Sequence, residues 1–172
     1  MTVEGSPDKT GLSAPVPLSA DHDLSGFDCG DATLNDWLKQ RALKNESRFS
    51  RSFVVCDGRS VAGYYCISAG SVERGQAPGK VRRNAPDVIP VSIIGRLAVD
   101  RSYSGKGLGA DLLFDALSRI ALSSKTIGMG AVLVHAKDDG AKRFYLACAE
   151  FIEYPVGSRT LFLPIETVAA AF

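Results

Sequence analysis

The sequence predicts an α/β fold, a single domain in which helices flank a mixed central sheet of about six to seven strands. Segments rich in β-branched and aliphatic residues alternate with amphipathic helical segments, without repeats or low-complexity stretches. The length of 172 residues fits one domain, and 45% hydrophobic with 23% charged residues argues against disordered, collagen-like and membrane classes. We expect a flexible tail over residues 1–14 and the domain over residues 15–172.

The first predicted helix covers Thr33–Asn45. Its apolar side chains recur at helical spacing, namely Leu34, Trp37, Leu38 and Ala42. Asp31 or Thr33 can cap this helix, because a short polar side chain accepts hydrogen bonds from the first backbone amides.

Three strands are predicted next. Ser52–Cys56 and Val61–Ser68 are separated by an Asp-Gly pair, which favours a turn. A loop rich in Gly, Pro and Arg is expected over Gly70–Pro90. Val91–Val99 is mostly β-branched and aliphatic, so it is predicted to be a buried strand.

A Gly-rich turn at residues 103–109 follows that strand and leads into an amphipathic helix that ends before Gly128. The apolar side of this helix consists of Leu108, Leu112, Leu113, Leu117, Ile120 and Ala121. Ala131–Ala136 has the composition of another buried strand.

A shorter helix is predicted to begin near Asp138 or Asp139, either of which can cap it. It carries Ala141, Phe144 and Tyr145. Short strands around Phe151–Tyr154 and Thr160–Leu163 complete the predicted sheet.

The formal net charge of +1 hides an uneven distribution. Residues 1–36 carry 1 basic and 7 acidic side chains, residues 37–106 carry 13 and 5, and residues 107–172 carry 6 and 7. A basic middle in a nearly neutral chain suggests an anionic partner.

The four cysteines have neither Cys-x-x-Cys spacing nor paired histidines, so we expect no metal site. Free buried thiols are typical of a reducing cytosol. The N-terminal residues lack a secretory pattern, and no run of 18 apolar residues occurs. We therefore expect a cytoplasmic protein without membrane segments.

The Gly-rich turn has a physical use. Glycines 105, 107 and 109 allow a tight turn and leave room for a ligand, while the helix N-terminus directs backbone amides and a positive dipole end toward it. Phosphate or pyrophosphate suits such a site. The spacing differs from that of a Walker A loop, and the position in the chain differs from that of a dinucleotide-binding turn.

This turn resembles the acetyl-CoA signature of the GNAT acetyltransferase superfamily, Gln/Arg-x-x-Gly-x-Gly/Ala after the fourth strand. The glycine positions match Gly107 and Gly109, whereas the Gln/Arg position falls on Ser104. The resemblance implies a GNAT-like domain with a splayed groove for acetyl-CoA and no metal. The residues it implies for acetyl-CoA are Leu97, Ala98, Val99, Ser104, Gly105, Lys106, Gly107, Leu108, Gly109, Ala110 and Asp138.

The shorter helix resembles the superfamily pattern Asn-x-x-Ala-x-x-x-Tyr, with Asp138 in place of Asn. The resemblance implies that Tyr145 is the general acid that protonates the CoA thiolate. Taken alone, a tyrosine beside Phe144 on a short helix is more typical of core packing than of catalysis, and the Ala141 spacing together with the resemblance reverses that preference. We expect His135, inside a predicted buried strand, to be a core histidine rather than a base.

Several further segments resemble the acetyltransferase toxins of bacterial type II toxin-antitoxin modules. They are 36–38 (DWL), 86–90 (PDVIP), 95–100 (GRLAVD), 134–136 (VHA) and 161–164 (LFLP). The resemblance implies acetylation of the α-amino group of aminoacyl-tRNA, which blocks translation. It also implies a ribbon-helix-helix antitoxin, binding of operator DNA only through the antitoxin complex, and a homodimer.

An aminoacyl α-amine has a pKa of about 8, compared with about 10.4 for lysine. A substantial fraction is therefore neutral at cytosolic pH, and a strong base is less necessary. This agrees with a chain that has only 2 histidines.

Two groups of cations are candidates for contacts with the tRNA. Arg41, Lys44 and Arg48 fall on the side of Leu34 and Trp37 if the helix continues that far, and Arg82 and Arg83 lie in the later loop. We predict that both groups flank the acetyl-CoA groove and contact phosphates, although a solvated surface is the ordinary explanation of such charges.

The residues alone leave two other functions open. One is acetylation of a small amine or a protein amine, and the other is a regulator that binds CoA or nucleic acid without turnover.

Overall fold

The computed structural model describes residues 11–172. Within them, seven strands form one mixed sheet in the order β1-β2-β3-β4-β5-β7-β6. The strands are β1 (Val16–Pro17), β2 (Arg51–Asp57), β3 (Ser60–Glu73), β4 (Val88–Val99), β5 (Ala131–His135), β6 (Ile152–Glu153) and β7 (Thr160–Pro164).

The α-helices of the described residues are α1 (Ala32–Trp37), α2 (Leu43–Asn45), α3 (Gly79–Arg82), α4 (Leu108–Ser123), α5 (Asp139–Cys148) and α6 (Ile165–Ala171). A π-helix, Leu38–Ala42, connects α1 to α2, and short 3-10 helices cover Arg74–Gln76 and Arg101–Tyr103. None of the helices within residues 11–172 is long and apolar enough to cross a membrane.

The first of two compact units comprises the described residues up to Ile67 together with Arg96–Asp115. Its core consists of Leu18, Phe27, Leu38, Ala42, Val54, Cys56, Val61, Tyr64 and Ala98. Gly63 lies where α4 approaches β3, and a Cβ there would be 3.0 Å from Leu112 Cδ1 and 3.3 Å from the Ala98 carbonyl oxygen. The missing side chain lets the beginning of α4 pack closely on the strands.

The second unit comprises Ser68–Gly95 and Ala116–Phe172. Its core consists of Ala77, Val81, Ile89, Val91, Ala131, Leu133 and Phe162. Strands β4 and β5 are parallel and pair through 91–93 and 131–133. The antiparallel pair β5 and β7 extends to His135 and Thr160, which lie opposite each other.

Most predicted elements are confirmed, with small differences at their ends. Asp31 caps α1 by accepting hydrogen bonds from the amides of Thr33 and Leu34. Asp138 caps α5 by accepting from the amide of Ala141 at 2.7 Å. Both residues had been predicted as candidate caps from the chemistry of their side chains.

The predicted loop over Gly70–Pro90 is wrong. β3 continues to Glu73, α3 covers Gly79–Arg82, and β4 already begins at Val88. These elements are too short to show a hydrophobic period, and burial of Ala77 and Val81 in the second unit holds them in place. Helix α6 was not predicted either, because it is also too short to show a hydrophobic period.

The predicted helix Thr33–Asn45 is not one α-helix. The π-helix forms i→i+5 hydrogen bonds, so residues beyond Trp37 do not keep the angular spacing of an α-helix. Arg48 lies beyond the end of α2. The alignment of Arg41, Lys44 and Arg48 with the apolar side was predicted on the condition that one helix continues through all three, and that condition is not met.

Residues 1–10 of the predicted tail over residues 1–14 lie outside the described residues. Near its end, Ser13 exchanges two hydrogen bonds with Cys56. The Ser13 amide donates to the Cys56 carbonyl at 2.8 Å, and the Cys56 amide donates to the Ser13 hydroxyl at 3.0 Å.

Candidate active site

The Gly-rich turn lies in the first unit, between the end of β4 and the beginning of α4. Gly105 and Gly107 have φ angles of 74° and 80°, in the left-handed region that glycine adopts most easily. A Cβ at Gly105 would have no heavy atom within 4 Å apart from its chain neighbours. The first amides of α4 have no carbonyl partner within the helix, and Lys106 is exposed beside them. This geometry suits an anionic group.

Hydrogen bonds hold the chain that enters this turn. Asp100, which is buried, accepts from the amides of Ser102 and Asp28, both at 2.9 Å. The Tyr103 hydroxyl donates to Asp57 at 2.8 Å, and this hydrogen bond raises the pKa of Tyr103. The turn is therefore preorganised by its own unit.

The first unit brings together most residues that were predicted to hold acetyl-CoA. Leu97, Ala98 and Val99 form the end of β4, with Ala98 buried and the others half-buried. Residues 104–110 form the turn and the first residues of α4. The Ser104 hydroxyl donates to the Arg101 carbonyl at 2.9 Å, so it stabilises the turn itself.

A stack of side chains beside β4 was missed by the sequence analysis. The Arg96 guanidinium lies 4.2 Å from the centroid of the Trp37 ring, and Trp37 stacks on Tyr64 at 6.0 Å. The buried Tyr64 hydroxyl donates to the Leu34 carbonyl at 2.8 Å, and burial raises the pKa of Tyr64. No periodic pattern could have indicated this contact, because Arg96 interrupts a strand that is otherwise apolar.

Tyr145 lies on α5 in the second unit and is only 6% exposed. The Phe144 and Phe151 rings meet its ring edge to face, with centroids at 5.2 Å and 5.8 Å. This packing restricts the orientation of the phenol. Both interpretations of Tyr145, as a core residue and as a positioned acid, are compatible with such contacts.

Two ion pairs join α5 to the strands and loop that follow it. Lys142 lies 3.0 Å from Glu153, and Arg159 lies 3.1 Å from Asp139. The amide of Gly157, followed by Lys142, lowers the pKa of Glu153, and the hydrogen bond from Arg159 lowers the pKa of Asp139. These carboxylates are therefore stabilised in the ionised form.

A cavity of about 540 Å³ lies in the second unit. Its lining consists of Ser71, Val72, Glu73, Gly75, Gln76, Val88, Leu133, His135, Tyr154, Pro155, Thr160 and Phe162. His135 is exposed, and its Nδ1 lies 3.1 Å from Thr160 Oγ1. The expectation of a core histidine is wrong, because His135 ends β5 and its side chain leaves the packed layer.

The predicted cations are all exposed. They are Arg41, Lys44 and Arg48 in the first unit, and Arg82 and Arg83 in the second. The Arg48 guanidinium lies 4.8 Å from the centroid of the Phe49 ring, and Phe49 is 64% exposed. Sequence analysis missed Phe49, although an exposed aromatic ring next to cations is typical of nucleic-acid contacts.

The cysteines of the described chain are all free, and Cys56 and Cys66 are buried. Burial raises the pKa of the Cys56 thiol. In residues 11–172, no group of three or more His, Cys, Asp or Glu side chains could hold a metal ion.

Comparison with known proteins adds two findings from sequence. The model of the acetyltransferase (GNAT) family matches residues 20–151. A protein of Mycobacterium tuberculosis (strain ATCC 25618 / H37Rv), named tRNA-acetylating toxin, is 46% identical over 138 residues, which are 80% of this chain and 83% of that protein.

Solved structures are also similar. A crystal structure of a mutant of KacT has a TM-score of 0.87 and 29% identity, covering 94% of this chain and 99% of its own. AtaT complexed with acetyl-methionyl-tRNAfMet has a TM-score of 0.84 and 30% identity, covering 92% and 98%. A mutant AtaT toxin bound to the C-terminus of the antitoxin AtaR and acetyl-CoA has a TM-score of 0.79 and 30% identity, covering 94% and 97%. The AtaT-AtaR complex bound to DNA has a TM-score of 0.73 and 29% identity, covering 91% and 97%.

Proposed function

The chain belongs to the acetyltransferase (GNAT) family, and we propose that it is a toxin that acetylates the α-amino group of aminoacyl-tRNA and thereby blocks translation. The observation that carries this proposal is the 46% identity with the tRNA-acetylating toxin over 80% of this chain. The structural similarity to AtaT complexed with acetyl-methionyl-tRNAfMet supports the same substrate class.

The Gly-rich turn is the proposed site for the phosphates of acetyl-CoA. The amides of Leu108, Gly109 and Ala110 would bind the pyrophosphate, and Lys106 would add a positive charge. The open space at Gly105 fits this role, because a ligand can approach the backbone closely there. The backbone of 97–99 would hold the pantetheine.

When bound, acetyl-CoA supplies the thioester that the amine attacks. In our proposal Tyr145 gives its proton to the departing thiolate, and the amides of Leu97, Ala98 and Val99 stabilise the oxyanion. The aromatic neighbours of Tyr145 reduce its rotational freedom, which supports a positioned proton donor. The uncharged amine, available in part near neutral pH, forms the new nitrogen–carbon bond as the carbon–sulfur bond breaks, and its surplus proton passes to water, which also restores the proton of Tyr145.

The exposed cations are the proposed contacts for tRNA phosphates. Such contacts position an RNA without reading its sequence, and their contribution falls with salt. Phe49 adds an exposed ring on which an unpaired base could stack. The shared test of these cations is whether the KM for aminoacyl-tRNA rises with salt concentration.

The central experiment supplies labelled acetyl-CoA and charged total tRNA to the purified protein and identifies the acetylated aminoacyl species. We expect labelled aminoacyl-tRNA with the wild-type protein and a large loss of rate with Tyr145→Phe. Labelled polyamine or protein without labelled tRNA would favour the alternative acetyltransferase. Absence of turnover on any amine would favour the regulator.

A second experiment tests the tRNA contacts. Reversing charge with Arg82→Glu and Arg83→Glu should raise KM for aminoacyl-tRNA and reduce its salt dependence, while KM for acetyl-CoA stays unchanged. Lys125→Glu is the matched control, because Lys125 is also an exposed cation but lies outside the proposed contacts. Equal effects of both changes would contradict the assignment of Arg82 and Arg83.

The partners follow from the same proposal. We infer a cognate antitoxin that neutralises the enzyme and binds operator DNA as a complex, supported by the similar AtaT-AtaR complex bound to DNA. We also propose a cytoplasmic homodimer. Light scattering at several concentrations gives its mass, and a small open reading frame beside the gene would encode the antitoxin.

A further inference from the structure

Arg96 is a half-buried cation of the first unit. Within residues 11–172, none of the ion pairs or side-chain hydrogen bonds includes its guanidinium. Lys142, a half-buried cation of the second unit, shows the ordinary arrangement, because it lies 3.0 Å from Glu153. Partial burial removes water from a charge, and an opposite charge normally offsets that cost. A ligand that brings an anion would therefore complete the environment of Arg96.

A stack of aromatic rings holds Arg96 in place. Its guanidinium lies 4.2 Å from the centroid of the Trp37 ring, and Trp37 stacks on Tyr64 at 6.0 Å. Tyr64 is fully buried and its hydroxyl donates to the Leu34 carbonyl at 2.8 Å, so the stack rests on the core of the first unit. An aromatic face attracts a cation but brings no anionic oxygen, which leaves the fork of N–H groups for a ligand.

The place of Arg96 along β4 indicates which anion this is. Arg96 directly precedes residues 97–99, whose backbone is proposed to hold the pantetheine, and the Gly-rich turn follows them. At about 3.3 Å per residue, Arg96 lies about 10 Å before Val99 along an extended strand. The phosphates of acetyl-CoA belong to the turn in this arrangement, so the anion beside Arg96 comes from the other substrate. In aminoacyl-tRNA, the phosphate nearest to the amine joins the last two nucleotides.

We propose that Arg96 binds the phosphate between the last two nucleotides of aminoacyl-tRNA, and that Trp37 is the residue that positions its guanidinium. This inference rests on the proposed function, which supplies the aminoacyl-tRNA. A guanidinium can donate two parallel hydrogen bonds to one phosphate. A fixed contact one nucleotide away from the aminoacyl ester restricts where the amine lies during the reaction.

Two other roles of Arg96 make different predictions. A purely structural Arg96 would cover the Trp37 ring, and its loss would lower stability without changing the response of the enzyme to that phosphate. An Arg96 that contacts a phosphate of acetyl-CoA would, when removed, raise the KM for acetyl-CoA.

The experiment compares two forms of the aminoacyl-tRNA that the labelling experiment identifies. In one form the phosphate between the last two nucleotides is natural, and in the other it is an uncharged methylphosphonate. Both forms carry a 2′-O-methyl group on the preceding ribose, which prevents cleavage at the modified linkage. The measured quantity is kcat/KM for each tRNA, with acetyl-CoA at saturation.

The variants separate charge, geometry and packing. Arg96→Gln removes the charge but keeps a side chain that packs on Trp37, and Arg96→Lys keeps the charge but lacks the planar fork. Arg59→Gln is the matched control, because Arg59 is an arginine of the same unit outside the proposed contacts, with its Nε donating to the Asp21 carbonyl at 2.9 Å. Thermal unfolding and the KM for acetyl-CoA show whether each variant is folded.

We expect the wild type and Arg59→Gln to lose about 10- to 100-fold in kcat/KM when the phosphate becomes a methylphosphonate, the effect of one charge-assisted contact. Arg96→Gln should lose a similar factor with the natural tRNA and nothing further with the modified one, since the two changes remove the same contact. Arg96→Lys should fall between them. Trp37→Leu should raise the KM for aminoacyl-tRNA by a smaller factor, because the arginine is retained but less restricted. The KM for acetyl-CoA should stay unchanged throughout.

Equal effects of the methylphosphonate on the wild type and on a folded Arg96→Gln would overturn the proposal. So would a wild type that acetylates both tRNAs equally well, or a raised KM for acetyl-CoA in Arg96→Gln with the wild-type response to the methylphosphonate. If Arg96→Gln does not fold, Arg96→Lys decides in the same way. If the wild type labels no aminoacyl-tRNA of either form, the proposed function fails first and this inference falls with it.

Discussion

The open space above Gly105 allows a test that separates ligand binding from backbone strain. Gly105 and Gly58 have φ angles of 74° and 61°, and a Cβ at either residue would have no heavy atom within 4 Å apart from its chain neighbours. Gly105→Ala and Gly58→Ala therefore impose the same strain without a clash. Gly58 lies in the turn between β2 and β3, whereas Gly105 lies in the proposed phosphate turn.

The strain of an L-residue in the left-handed region costs about 1 to 2 kcal/mol. For a chain of this length, that corresponds to a fall in melting temperature of about 2 to 4 °C per kcal/mol. Both variants should show this loss, measured by calorimetry or by unfolding in urea.

The KM for acetyl-CoA should distinguish the two variants. In the proposed site, a methyl group at Gly105 would occupy space that the pyrophosphate needs, and loss of one charge-assisted hydrogen bond costs about 1.5 to 3 kcal/mol. Since about 1.4 kcal/mol corresponds to a factor of ten, KM should rise about 10- to 100-fold for Gly105→Ala and stay unchanged for Gly58→Ala. An unchanged KM in a folded Gly105→Ala protein would refute the proposed phosphate site.

Three further predictions concern local interactions. Asp138→Ala should lower the free energy of unfolding by about 1 kcal/mol and reduce kcat, because it removes the cap of α5. Asp138→Asn is the control, because it keeps an acceptor oxygen. Equal stabilities of the two variants in urea would contradict this prediction. The hydrogen bond from the Gly157 amide lowers the pKa of Glu153, so the ionised carboxylate stabilises the fold above the ordinary pKa of 4.5, and this stabilisation is lost as pH falls through the lower folded value. Glu153→Gln should therefore lose less stability than the wild type on acidification. Parallel curves of stability against pH would show that the carboxylate contributes nothing. Tyr64→Phe should cost about 1 kcal/mol, because the hydrogen bond from the buried Tyr64 hydroxyl to the half-buried Leu34 carbonyl is lost, and wild-type stability of this variant in urea would disprove the contribution.

Sequence analysis predicted most accurately where the cause of a structure is local. The strand before residue 100, the glycine turn and α4 follow one another because composition, backbone freedom and amphipathic spacing agree within a few residues of each other. Asp31 and Asp138 cap helices for the same reason. The site elements built on these segments, the turn and α5, were therefore predictable in place and type.

The errors occur where distant residues decide the structure. Helix α3 is held by burial of Ala77 and Val81 against strands far along the chain, and no period of four residues could reveal it. The π-helix after Trp37 interrupts the α-helix on which the predicted alignment of the cations depended. His135 was expected in the core but is exposed at the end of β5. Its position there depends on where the pairing of β5 with β7 stops, which the local sequence does not show.

The sequence by itself determined the α/β fold class, the place of the Gly-rich turn that is proposed to bind phosphate, and the resemblance that led to the family. These depend on backbone chemistry and on short motifs, both of which are present in the chain before it folds. Only the tertiary structure decided that His135 faces a cavity beside Thr160, that Arg96 stacks on Trp37, and that Phe49 is exposed. Burial and side-chain contact join residues far apart in the sequence, so they exist only once the strands have paired and the helices have packed.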